Sequence, residues 1–160
     1  MTTVPMGFIE STALGLAMRQ SIWLYPAVET AHIIGLALLV GSIAVLDLRL
    51  LGLSRSLPVR KLAGHVLPWT LASFLLILPS GFMMFVAHAS DFISSPVFAL
   101  KMCLILAAGT NAALFHAGVF RGAAAWDVGV LPPLAARASA ALSLLLWVSV
   151  IACGRLLAYT

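Results

Sequence analysis

The sequence predicts an all-α membrane protein: an antiparallel bundle of four membrane-crossing helices preceded by an N-terminal interfacial amphipathic helix. Composition gives the first reason. Of 160 residues, 62% are apolar and 9% are charged, against about a quarter charged in an ordinary soluble domain. Nine basic and five acidic side chains cannot cover the surface of a soluble domain of this size. The second reason is that four separate apolar stretches reach the roughly 20 residues a spanning helix needs. Four spans use up most of the chain, so it forms a single integral membrane domain over residues 1–160. Any chemistry belongs to the bundle or to its two mouths.

In chain order, residues 6–20 alternate apolar and polar groups in a short amphipathic helix expected to lie in the interface. Glu10 and Arg19 interrupt its apolar run and no early basic region precedes it, so it does not read as a cleaved signal. The first span is expected over about residues 22–46, the second over 67–87, the third over 97–120 and the fourth over 138–157. Between them, Gly52, Ser54, Ser56 and Pro58 mark the first loop, Asp91 to Pro96 the second, and Gly129, Pro132 and Pro133 the third. Short loops predict that sequential helices are antiparallel neighbours. Pro79, followed by Ser80 and Gly81, is expected to bend the second span, with the Ser80 hydroxyl or a neighbouring helix satisfying the carbonyl that proline frees.

Orientation follows from the basic residues flanking the spans. Arg19, Lys101 and Arg155 fall on the side of the two termini. Arg49, Arg55, Arg60, Lys61, Arg121 and Arg137 fall on the other. Six against three places both termini outside, on the periplasmic face of a bacterial inner membrane. Trp23, Tyr25 and Tyr159 then belong to an outer aromatic belt and Trp126 to an inner one. The same placement explains the net charge of +4 without a nucleic-acid partner. Cys103 and Cys153 lie inside spans with no metal-binding spacing and read as small core residues.

The histidines carry the most functional information, because ionisable side chains within a membrane are costly. His32 lies some ten residues in from the outer end of the first span, and His88 closes the second on that side. His65 opens the second span on the inner side, and His116 lies near the inner end of the third. Depth therefore sorts them into an outer pair, His32 with His88, and an inner pair, His65 with His116. Each pair joins sequential helices, an arrangement suited to a haem iron held between two imidazoles. Small residues stand near these positions: Gly109, Ala112 and Ala113 before His116, Ala63 and Gly64 beside His65, and Ala31 and Gly35 around His32. Haem propionates need cations, which Arg60, Lys61 and Arg121 supply inside and Arg19 and Arg155 outside. His65 and His88 are 23 residues apart, roughly 34 Å at helical rise. Either the second helix extends past the hydrocarbon core or one pair alone holds haem.

Other polar residues have plainer readings. Glu29 and His32 share a helix face in a Glu-x-x-His spacing, but the remaining helices supply no carboxylates for a di-metal site. Asp47 and Arg49 are expected to pair at the inner edge, Lys101 to snorkel outward, and Asn111 to bond across helices. Met83, Met84, His88 and Asp91 cluster near the outer mouth; thioethers with imidazole suit Cu(I), although methionines within spans are commonly packing.

The stretches VETAHIIGLALLVGSIAVLDLRLLG and FALKMCLILAAGTNAALFH resemble a family of uncharacterised bacterial four-helix membrane proteins, over most of the chain. The architecture, with histidines on three of four helices, resembles the small bacterial di-haem cytochromes b that exchange electrons with quinone, and also the membrane domain of copper-resistance proteins. The cytochromes usually carry a ligand histidine on the fourth helix, and here that helix has none. The sequence thus leads to a membrane electron-transfer protein binding one or two b-type haems, with His65 and His116 as the leading axial pair, better matched in depth, and His32 and His88 as the second, linked to quinone or anchoring a redox partner or other membrane subunit. Two alternatives stand beside it: a copper-handling or transport protein, and a structural subunit without a cofactor.

Overall fold

The computed structural model describes residues 7–159. Residue 6, the expected start of the amphipathic helix, lies outside them. Two short helices replace that single element, α1 at Gly7–Glu10 and α2 at Ala13–Gln20. Between them the Thr12 side chain caps α2, its hydroxyl accepting from the Gly15 amide at 3.3 Å. Met18 is buried and α2 packs on α4, so the segment is held to the bundle as well as being amphipathic.

Four helices are long and apolar enough to cross a membrane: α3 at Leu24–Leu50, α4 at Val59–Ala87, α6 at Pro96–Ala117 and α7 at Leu134–Leu156. A short α5, Ala89–Ser94, joins α4 to α6, and a 3₁₀ segment at Val119–Trp126 precedes α7. No strand occurs among the described residues. The chain is a multi-pass, all-helical membrane protein. Its outward faces fit that solvent: Leu71, Leu75, Leu78 and Phe82 on α4 and Leu106 and Leu114 on α6 are all more than 60% exposed, a patch that water would penalise and lipid accepts.

The largest departure from the sequence reading is the start of α4. It begins at Val59, eight residues before the expected boundary, because Asp127 reaches across from the third loop to cap it. The Val59 amide donates to the Asp127 carbonyl at 3.1 Å and the Arg60 amide to its carboxylate at 2.8 Å. With 29 residues, α4 is about 43 Å long, longer than the roughly 30 Å hydrocarbon core. His65 lies within this extended helix and His88 caps its end. α4 continues as one helix through both Pro68 and Pro79, although neither proline can donate a helical hydrogen bond. At the other boundary, α6 stops at Ala117 because Gly118 leaves the helical region, at φ −112° and ψ −91°.

α3 packs on α4 and on α7, and α7 packs on α6. Sequential helices are therefore neighbours for the first pair and the last pair. They are not for α4 and α6, which bring no Cα atoms within 8 Å of each other. The α5 turn separates them, and long side chains fill the space: Phe74 and Ile77 of α4 and Leu104 and Ile105 of α6 pack against a shared core of Leu39, Ala108, Trp147 and Val150. α3 and α4 approach closely at Gly35, where an added Cβ would stand 2.8 Å from Ile77 Cγ1 and 3.0 Å from Leu76 Cβ.

Candidate functional site

The most organised polar group within the spans lies in the outer half of the bundle, where α3, α4, α6 and α7 each contribute. His32, in the third turn of α3, has its Nδ1 2.9 Å from Ser80 Oγ on α4. Ser80 donates its own hydroxyl proton to the Leu76 carbonyl. It therefore accepts from His32, which fixes the ring as the Nδ1–H tautomer and leaves Nε2 as a bare lone pair. Gly81 makes the room, since a Cβ there would stand 3.2 Å from His32 Cε1. Pro79 frees the carbonyl of Leu75, four residues back, whereas the Ser80 hydroxyl bonds those of Leu76 and, at 3.3 Å, Ile77. The serine serves the histidine as well as the local turn.

Lys101 completes this group. Its ammonium packs against α7, 3.8 Å from where a Cβ on Gly154 would stand, within electrostatic range of Cys153 and His32. No carboxylate pairs with it among the described residues. Glu29, one turn before His32, is exposed.

The other histidines stand elsewhere. His88 ends α4, its Nδ1 3.6 Å from the Asp91 carboxylate and its ring edge-on to Tyr25, with centroids 5.7 Å apart. It follows Ser80 by eight residues, so it is offset from His32 by about 12 Å along the helix. His65 is exposed on α4, turned from the face where Ala63 and Val66 pack near Phe115. His116, at the inner end of α6, holds its Nδ1 2.9 Å from the Ala112 carbonyl, and its Nε2 is buried without a partner among Phe115 and Phe120. No hydrogen bond, ion pair or ring contact joins two of the four histidines among the described residues. Arg60 and Arg121 are exposed at the inner end. Met83 and Met84 pack against the apolar cluster of Met18, Val28 and Ala87.

The inner end is held by residues with a structural role. Arg49 is buried and does not pair with Asp47. It donates to the carbonyls of Leu57 at 2.8 Å, Arg55 at 3.2 Å and Asp127 at 3.0 Å, tying the first loop to the third. Asp47, two residues away and therefore on another face, lies near the Ser143 hydroxyl of α7, with its Oδ2 buried and without a hydrogen-bond partner among the described residues. Trp126 is not a lipid-facing belt residue; it lies in the inner core with Leu46, Phe115 and Ala136. Asn111 bonds across helices as expected, donating to the Ser139 carbonyl and accepting from the Ser139 hydroxyl, both at 3.0 Å. Beside them is a cavity of about 300 Å³ between α6 and α7.

At the outer surface Glu10 accepts from the Ser90 amide at 2.7 Å and from Arg19 at 3.2 Å. The Ser90 hydrogen bonds, with Arg19 behind them, hold its carboxyl below the ordinary value of about 4.5.

Residues 6–160 match the family of unknown function DUF6644. The chain belongs to that family. No curated protein and no solved structure matches it. The DUF6644 match covers all four spans and every residue of the outer polar group. Sequence reasoning singled out His32 but not its partners. Ser80 and Gly81 read as proline-associated small residues, and Lys101 read as a snorkelling cation. The signal that was available is Lys101 itself: a lysine five residues inside an apolar helix with no acidic residue on that helix.

Proposed function

We propose that the protein is an electron carrier of the bacterial inner membrane that binds b-type haem in the outer half of its bundle, with His32 as an axial ligand. One observation supports this above the others. An intramembrane imidazole is locked by Ser80 in the tautomer that presents a bare Nε2, beside a lysine that lacks an anionic partner. Iron takes the unprotonated nitrogen of a neutral imidazole whose other nitrogen is held by a hydrogen bond. A haem propionate is the kind of anion that Lys101 lacks. The protein would contribute ligation, burial and charge, and the redox chemistry would belong to the cofactor.

His116 is the matching residue at the inner end, since its Nδ1 is likewise occupied by a carbonyl and its Nε2 is left bare. Arg60 and Arg121 stand at that end as propionate partners. A single iron shared by two imidazoles needs their nitrogens about 4 Å apart, twice a metal–nitrogen bond of about 2 Å. His88 is offset from His32 by about 12 Å along α4 and His65 is exposed, so the reading leads with His32 and His116. Both termini face the periplasm on the count of basic residues, and membrane quinone is the exchange partner that suits a carrier whose site lies among membrane spans. Copper handling is the weaker reading, because Met83 and Met84 are taken up in packing.

The test is a reduced-minus-oxidised visible spectrum of purified variants. His32→Ala should remove one haem component, and Ser80→Ala should weaken or shift it, while His88→Gln leaves it in place. A haem spectrum untouched by His32→Ala would refute the assignment.

A further inference from the structure

The outer mouth holds a second polar arrangement that the haem site does not use. A cavity of about 390 Å³ opens where α2 meets the ends of α3 and α4, lined by Met18, Arg19, Ile22, Tyr25, Pro26 and His88, with Ser21 at its edge. Its charges are already matched. Arg19 is bonded to Glu10 at 3.2 Å, and Asp91 lies 3.6 Å from His88 Nδ1. The cavity is therefore not built for an ion of either sign.

Two hydrogen-bonding groups remain. The Tyr25 hydroxyl and His88 Nε2 have no hydrogen-bond partner among the described residues, and their rings meet edge-on at 5.7 Å on the wall of the same cavity. With Asp91 beside Nδ1, the proton of His88 is drawn to that nitrogen and Nε2 is left as an acceptor. Tyr25 can donate or accept. Met18 forms a buried apolar floor, while Ile22 and Pro26 are exposed at the rim. A complementary ligand is uncharged, carries a hydroxyl on the edge of a flat ring, and trails an apolar tail past Ile22 and Pro26 into lipid.

We propose that this cavity binds the ring of a lipid-soluble phenol of the quinol class, its hydroxyl donating to His88 Nε2 and accepting from Tyr25. The choice of a quinol among phenols rests on the electron-carrier reading; the hydrogen-bonding geometry does not. The site is distinct from His32, because Ser80 and Gly81, which touch that ring, precede His88 by eight and seven residues, about 10–12 Å along α4.

The test uses the full chain in lipid nanodiscs and a short-chain benzoquinol with its oxidised form. The quinol should bind more tightly than the quinone, which has no hydroxyl to offer His88. Tyr25→Phe and His88→Gln should each weaken quinol binding roughly three- to tenfold, the worth of one neutral hydrogen bond. An azido-substituted benzoquinol should label wild-type protein within residues 18–26 or at His88, a readout that needs no variant to fold. Gly41→Ala, with nothing within 4 Å of its added Cβ, should bind quinol as the wild type does, and binding is read without the haem spectrum, so a failed haem assignment leaves this result intact. Labelling confined to other segments, or affinity unchanged in both the Tyr25 and His88 variants, overturns the proposal.

Discussion

Replacing Gly35 by alanine tests the α3–α4 contact that carries the outer site. The new Cβ would stand 2.8 Å from Ile77 Cγ1, 3.0 Å from Leu76 Cβ and 3.3 Å from the Ile77 amide nitrogen. Backbone and the first carbon of a side chain cannot swing aside, so the two helices must separate by a few tenths of an ångström. Overpacking of this kind costs about 1–3 kcal/mol. Gly41 lies on the same helix with nothing within 4 Å of its would-be Cβ. Its replacement by alanine removes only the glycine helix penalty and should be neutral or stabilising by up to about 1 kcal/mol. Thermal unfolding in one detergent, followed by circular dichroism, compares the two, with a shift of roughly 2–4 °C per kcal/mol in a chain of this size. Gly35→Ala should lower the midpoint and Gly41→Ala should not. Equal midpoints would refute the close approach of α3 to α4, and with it the placement of Ser80 against His32.

Three further outcomes follow from other parts of the molecule. Glu10 has a folded-state pKa held below about 4.5, so its stabilising contribution is present above that value and is lost as the pH falls through the lowered one; proteolysis of residues 7–20 should rise in that acid range, and Glu10→Gln should make it independent of pH. Asp127→Ala removes the carboxylate that caps α4 at the Arg60 amide and should cost about 1 kcal/mol, with amide exchange rising first at Arg60; unchanged protection there would contradict the capping role. A periplasm-active reporter fused after Thr160 should be active, and cytoplasmic activity would reverse the orientation.

What the sequence made legible and what it hid follow from the physics of each residue. The four spans were readable because each needs only a run of apolar residues, a property of composition along the chain. Asn111 was readable because a mid-span amide has few alternatives to bonding across helices, and Ser139 supplies the partner. The start of α4 was hidden because Arg60, Lys61 and His65 look like loop residues until Asp127, more than 60 positions away, caps the helix. Arg49 looked like the partner of a nearby carboxylate, but three loop carbonyls claim its guanidinium. Trp126 looked like a belt residue because its position beside a span suggested an interface, whereas the 3₁₀ segment turns it into the inner core. The outer site was half legible. A membrane histidine is conspicuous in any sequence, but the serine that orients it, the glycine that admits it and the lysine beside it come from two other helices.

The central claim is that His32 ligates haem, and haem content is its most direct measure. The full chain, expressed in haem-sufficient cells and purified intact, should carry at least one haem b per chain by pyridine haemochrome assay, and His32→Ala should carry less. Intact wild-type protein without haem would contradict the account.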